Sequence, residues 1–302
     1  MMPTKTLSPI RIYGVPMDLG QRRRGVDMGP SAVRYAGLQG KLESLGYTVT
    51  DGGNIYAPVI EEIDDEPIDG LAHNVQSIVA VCTDVYQQVR VSLRAGETTI
   101  ILGGDHSISL GSVSAAADVT PNVGVLWVDA HGDFNTPFTT PSGNVHGMVV
   151  SSLVGLCPSP LMLRSEPLSA SQFAYLGVRD LDVSEKVNMA ASGALIRTMR
   201  DIDENGMASV VRGILNALSG CDALHISFDM DSLDPQVAEG VGTPVSGGLT
   251  LREAHLLMEM LADDGRVRSL DIVEINPILD NHNRTAQVAV DLIASLFGQR
   301  II

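Results

Sequence analysis

Aromatic residues are scarce in this chain. They make up 4% of its 302 residues, with a single tryptophan. A protein that binds single-stranded nucleic acid needs stacking platforms, and this composition offers few. Positive charge is scarce too. Twenty Lys and Arg stand against 36 Asp and Glu, a formal net charge of −16. Such a surface repels phosphate backbones and anionic lipid, so neither nucleic acid nor membrane is an expected partner, while a small cation would be drawn in. The acidity by itself would equally serve solubility. Cysteine occurs three times, as Cys82, Cys157 and Cys221, far apart and in no CxxC pattern. That argues against a zinc finger or a disulfide framework and for buried thiols in a reduced cytoplasm. The stretch MMPTKTLSPI lacks an apolar core of signal-peptide length, and no run approaches the ~20 apolar residues of a membrane span.

What is present is ordinary globular material, 44% apolar and 19% charged. The length fits one large α/β domain or two smaller ones. Apolar, β-branched runs recur as 10-IRIYGV-15, 98-TTIILGG-104, 123-VGVLWVD-129, 173-FAYLGV-178, 194-ALIRTM-199, 223-ALHISFD-229 and 269-SLDIVEIN-276, with a weaker one at 47-YTVTDGG-53. They are apolar on both faces and end in Gly or Asp, as strands inside a parallel sheet do. Helical patterns lie between them, over 30–45, 72–95, 184–192, 207–218, 251–262 and 285–296. Pro30 and Thr250 read as starts, Gly193 and Gly220 as stops. The alternation has no clear linker, which predicts one α/β domain over 1–302. The pattern does not separate an open sheet from a closed barrel. The longest irregular stretches fall near 16–29, 53–70, 134–146, 157–170 and 231–249.

Polar clusters follow three of these strands. Asp105-His106 follows the run at 98, Asp129, His131 and Asp133 follow the run at 123, and Asp229 and Asp231 follow the run at 223. On an extended chain, residues i, i+2 and i+4 point to one side, so Asp129, His131 and Asp133 would crowd together. If the three strand ends share one rim, like charges converge that cannot all stay ionised without a cation among them. Oxygen ligands with one or two imidazoles suit a hard ion such as manganese, and their number suits two ions sharing carboxylates. Such a pair turns a bridging water into hydroxide near neutral pH. A lone Asp at a strand end is usually only a cap, and a lone His such as His225 or His255 a packed or surface residue. It is the combination of DxHxD, DxD and a strand-terminal DH that points to metal. The loop 135-NTPFTTPSGNVHGM-148 follows directly. Its Asn135, Ser142 and Asn144 are neutral donors suited to a carboxylate, and His146 is suited to moving protons. Glu274 in 271-DIVEINP-277 is suited to pairing with a planar guanidinium.

The segments 103-GGDHS-107, 127-WVDAHGDFNTP-137, 227-SFDMDSLDP-235 and 271-DIVEINP-277 together resemble the ureohydrolase family, whose members hydrolyse guanidino groups to urea with two manganese ions. SGNVHG and 14-GVPMDLGQRRRGVDMGPSAVRYAGL-38 resemble its arginase branch more than its agmatinase branch. The resemblance runs nearly end to end and implies a three-layer α/β/α sandwich on an eight-stranded parallel sheet. It implies His106, Asp129, Asp133 and Asp229 around one manganese and Asp129, His131, Asp229 and Asp231 around the other. It further implies L-arginine as substrate, with bridging hydroxide attacking the guanidinium carbon to give L-ornithine and urea. Asp133 would pass a proton to the leaving amine, and His146 would shuttle protons. Glu274 and Thr243 would orient the guanidinium, Asn135, Ser142 and Asn144 would take the α-carboxylate, and Asp182 and Glu185 the α-ammonium. A homo-oligomer, trimer or hexamer, is the assembly implied. Agmatinase and guanidinobutyrase chemistry are the neighbouring readings. A non-catalytic metal binder is the reading from outside the class, and the complete ligand set argues against it.

Overall fold

The apolar runs form strands because their branched side chains have burial on both sides. In β4 (Val123–Val128), Leu126 and Val128 join one core cluster while Val125 and Trp127 join another. The computed structural model describes residues 7–66 and 72–300, so the opening segment 1–6 and part of the irregular stretch expected at 53–70 lie outside the described residues. The remaining strands are β1 (Ile10–Val15), β2 (Val49–Asn54), β3 (Thr98–Gly103), β5 (Phe173–Val178), β6 (Leu195–Thr198), β7 (Ala223–Asp229) and β8 (Val267–Val273). The helices are α1 (Gly29–Tyr35), α2 (Leu38–Ser44), α3 (Val75–Arg94), α4 (Ser109–Val119), α5 (Val149–Leu153), α6 (Val183–Ser192), α7 (Met199–Asn205), α8 (Met207–Ala217), α9 (Leu251–Asp264) and α10 (Arg284–Leu296). All eight strands belong to one sheet of order β2-β1-β3-β8-β7-β4-β5-β6, and every pairing is parallel. Helices α1, α2, α8, α9 and α10 pack on one core, α3, α4 and α5 on the other. This is the expected three-layer α/β/α sandwich, and the sheet is open.

The order decides where chemistry sits. β3, β8, β7 and β4 are consecutive neighbours. Being parallel, they deliver their carboxyl ends, and so the segments after Gly103, Val273, Asp229 and Val128, to one rim. Open α/β sheets bind ligands on that rim, where the chain changes direction across the sheet.

Several local expectations change. The helix expected over 30–45 is two helices, because Gly37 takes φ +88° between α1 and α2. That left-handed geometry suits Gly and breaks the hydrogen-bond ladder. Helix α4 carried no periodic signal because most of its residues, SLGSVSAAADV, are buried all round. Gly111 lies so close to the Cys82 carbonyl of α3 that a Cβ would collide. Short α5 and α7 were also unmarked, and Met199 opens α7 instead of closing the strand. Thr250 caps α9 through its hydroxyl, and Gly193 ends α6 at φ +88°. Gly220 does not end α8, which stops at Ala217. Cys82 and Cys157 are buried as expected, whereas Cys221 is partly exposed.

Gly104 ties this rim together. Its N–H donates to Val15 O at 3.1 Å, its carbonyl accepts from Glu274 N at 2.9 Å, and the next N–H, of Asp105, donates to Met17 O at 2.8 Å. A Cβ there would overlap the Met17 backbone. Gly104→Ala is expected to destabilise the fold by about 2–4 kcal/mol through overpacking. A urea-unfolding midpoint unchanged from wild type would contradict this.

Candidate metal centre and adjoining cavity

Backbone N–H groups hold one oxygen of Asp129, Asp229 and Asp231. Asp129 Oδ1 accepts from His131 N at 2.7 Å, and Asp229 Oδ1 from Asp231 N at 2.7 Å. Asp231 Oδ1 accepts from Ala130 N at 3.3 Å and its Oδ2 from Thr243 Oγ1 at 3.0 Å. The remaining oxygens meet at His106. Its Nδ1 lies 3.2 Å from Asp129 Oδ2, 3.1 Å from Asp133 Oδ2 and 3.2 Å from Asp229 Oδ2. His131 Nδ1 lies 3.3 Å from Asp129 Oδ1 and 3.1 Å from Asp231 Oδ2. Two metal-sized groups result, His106–Asp129–Asp229 and Asp129–His131–Asp231, each with ligand atoms within 4.8 Å of one another. Asp129 belongs to both groups and Asp229 to the first.

The route to convergence differs from the expected one. β4 ends at Val128, and Asp133 takes φ +49°. The stretch from Asp129 to Asp133 therefore turns, and the strand alternation read from the sequence does not apply to it.

The donors fit a cation. His106 Nδ1 and Asp133 Oδ2 are buried atoms without a hydrogen-bond partner. Buried polar atoms are rarely left so, and here they face a common centre. Spacings of 3.1–3.3 Å between donors are those of ligands bonded at about 2.1 Å around one first-row divalent ion. The electrostatics agree. Burial pushes the Asp133 carboxyl up to about 6, with Asp129 adding to the rise. Burial likewise pushes Asp229 well above the carboxylate range, reinforced by Asp231 and Asp129. Asp129 goes the other way: burial opposes ionisation, but His106 and His131 hold it strongly ionised. Burial alone would depress His106, yet Asp129, Asp133 and Asp229 hold its imidazole well above its ordinary value.

The cavity of about 120 Å³ beside the cluster is lined by Asp133, Asn135, Ser142, Asn144, His146, Asp182, Glu185 and Thr243, together with His131 and Asp229. It shares His131, Asn144, His146 and Thr243 with an outer vestibule of about 480 Å³. One side presents amides and hydroxyls from the 135–144 loop, the other the acids at the start of α6. The two sides touch, since Asn135 Nδ2 donates to Asp182 Oδ2 at 2.9 Å. Glu185 is buried, and its Oε1 accepts from Phe134 N at 2.9 Å. Burial pushes its carboxyl up to about 7 despite that bond.

Glu274 stands apart from its expected place in the wall. It is fully buried behind the cavity, just beyond β8, at φ +66°. Its Oε1 accepts from His106 N at 3.0 Å and lies 3.0 Å from His146 Nδ1, and its Oε2 accepts from Gln21 Nε2 at 2.6 Å. Burial would lower the His146 proton affinity, but Glu274 raises it to about 9.

Two contributors escaped the sequence reading. Gln21 comes from the loop after β1, and only that loop's place after a strand end hinted at it. Arg179 follows β5 and donates to the carbonyls of Asp231 and Val245, both at 2.7 Å, bracing the Asp231 turn. No pattern signalled it.

Burial pushes the Asp133 and Asp229 carboxyls up, so a cation must displace the protons they hold, and affinity must fall as pH falls. Isothermal titration of manganese near neutral pH in buffers of different ionisation enthalpy is expected to show proton release. Heats independent of buffer would contradict it.

The Arginase family profile matches residues 8–298. Arginase of Bacillus subtilis is 44% identical over 298 residues, covering 97% of this chain and 99% of the relative. The crystal structure of arginase from Bacillus caldovelox superposes with a TM-score of 0.94 at 43% identity, covering 98% of this chain and all of that one (100%). Entamoeba histolytica arginase, crystallised with L-ornithine, gives 0.89 at 31% identity, covering 97% and 99%.

Proposed function

This chain belongs to the arginase family, and from that premise we propose that it hydrolyses L-arginine to L-ornithine and urea. The observation that carries the reading is a buried acid–imidazole cluster at the base of a cavity with one donor wall and one acidic wall. Such walls match a substrate bearing both an α-carboxylate and an α-ammonium. Agmatine has no carboxylate for Asn135, Ser142 and Asn144 to read, so the donor wall favours arginine. Under this reading Asp182 and Glu185 take the ammonium.

His106, Asp129, Asp133 and Asp229 would hold one divalent cation, and Asp129, His131 and Asp231, with Asp229 shared, the other. The oxygen-rich donor set favours manganese. Bound there, the pair supplies a water ionised near neutral pH and positive charge for the developing tetrahedral centre. The chain's own groups do the rest. Thr243, fixed on Asp231, lies beside the guanidinium end. Glu274 sets the negative charge behind that end and anchors His146. Asp133, pushed up to about 6, is suited to carrying a proton from the cluster to the leaving amine. Among the described residues no helix is long and apolar enough to cross a membrane. A cytoplasmic location, read from the cysteine pattern, and a trimeric or hexameric assembly, implied by the resemblance, complete the proposal.

After manganese reconstitution, urea release is expected from arginine and not from agmatine. Asn135→Ala and Asn144→Ala should each raise the arginine KM about 10-fold or more, the scale of a lost hydrogen bond to a charged group. Turnover of agmatine alone, or unchanged KM values, would sink the arginine assignment in favour of another ureohydrolase.

His146 gives a pH signature. Its value of about 9 lies above the ordinary ~6.5, so it stays protonated through neutral pH and loses its proton as pH rises through about 9. Activity should therefore fall on the alkaline side near that value, and His146→Asn should lose that limb. An identical alkaline profile in the variant would refute a proton-donating role.

A further inference from the structure

We infer that Asp271, acting through Ser109 and Ser227, is a positioning residue that fixes the His106 proton on Nε2 and leaves Nδ1 as a bare metal-binding lone pair. The inference rests on the reading that the cluster holds cations and is independent of which guanidino compound is hydrolysed.

Behind the metal centre, inside the sheet, lies a polar cluster with no access to solvent. Asp271 (β8), His225 and Ser227 (β7), and Ser109 and Ser112 (α4) are all 0% exposed. A carboxylate only accepts hydrogen bonds, and a serine hydroxyl has one proton to give. Asp271 Oδ2 accepts from Ser109 Oγ at 2.7 Å, from Ser112 Oγ, and from His225 Nε2 at 3.2 Å. Ser109 has then used its proton, so at its 3.1 Å contact with Ser227 it accepts and Ser227 donates. Ser227 in turn has no proton left for His106, so its Oγ accepts from His106 Nε2 at 2.7 Å. The chain of donors runs one way, from His106 to Asp271, and it places the imidazole proton on Nε2.

The front of the ring agrees independently. Three carboxylate oxygens stand 3.1–3.2 Å from Nδ1, yet none meets the geometry of a hydrogen bond. A proton on Nδ1 would point between them, whereas a lone pair pointing there suits a cation. Trp127 stacks on the ring at 4.2 Å with planes 6° apart, which fixes its tilt. Hydrogen-bonded partners behind a ligating imidazole commonly contribute 10–100-fold in metal affinity.

Ser112 supplies the internal control. Like Ser109 it is a buried hydroxyl on α4 bonded to Asp271 Oδ2, but it lies off the path to His106. Metal-free wild type, Ser227→Ala, Ser109→Ala and Ser112→Ala would be titrated with manganese, the free ion followed by electron paramagnetic resonance, and thermal unfolding of the metal-free forms recorded. Ser227→Ala and Ser109→Ala are expected to weaken one of two sites about 10-fold or more and leave the other unchanged. Ser112→Ala should keep both sites while losing as much thermal stability as Ser109→Ala. Equal loss of affinity in Ser109→Ala and Ser112→Ala, or no loss in either, would overturn the inference, and that pair decides it even if Ser227→Ala fails to fold. Wild type that binds manganese in this pattern but turns over no arginine would remove the functional reading and leave this one standing.

Discussion

Repulsion among buried like charges governs this molecule. Asp129, Asp133, Asp229 and Asp231 have almost no exposure and share one small volume with His106 and the partly exposed His131. Taking several carboxylates out of water is costly, and two imidazoles cannot neutralise four acids. The opposed directions of the Asp129 and Asp229 proton affinities express that deficit. Positive charge from cations held there would resolve it, and the surrounding architecture has the form of a holder for such charge.

The parallel sheet builds that holder. Four neighbouring strands end at one rim, and each following loop contributes its acid or imidazole within a few residues. Backbone N–H groups freed at the strand ends take one oxygen of Asp129, Asp229 and Asp231, aiming the other inward. Two non-glycine residues, Asp133 and Glu274, accept left-handed backbone there. Such conformations are held only where the surroundings over-determine them, and they gather at functional sites. The same rim has two sides: a cavity in front that faces substrate, and a sealed hydrogen-bonded cluster behind that faces the core.

Charge also differs between surface and mouth. The net balance is strongly acidic, yet Arg22 and Arg23 line the vestibule. Arg23 donates to the Gly242 carbonyl at 2.7 Å, joining the loop after β1 to the 231–249 loop. Arg24 pairs with Asp18 and Glu61. These arginines brace the entrance, and the acidic groups deeper in remain the attraction for a cation.

Much was legible in the chain itself. Runs apolar on both faces marked the inner strands, because burial on two sides leaves no polar alternation, whereas the half-exposed edge strand β2 gave only a weak run. The DxHxD, DxD and DH groups marked a metal centre, because such crowding has few other physical justifications. What the chain could not show was neighbourhood. Strand order, and with it the meeting of the ends of β3, β8, β7 and β4, depends on crossovers that no local pattern encodes. Helix α4 was silent because a helix buried all round has no periodicity. Gln21 meets Glu274 across 253 positions, and Ser109 meets Asp271 across 162. Hydrogen-bond direction exists only between partners, so the roles of such residues follow from packing. Sequence alone determined which strands form and which side chains could hold cations; tertiary structure decided which groups orient them, because orientation is set by contacts between residues far apart in the chain.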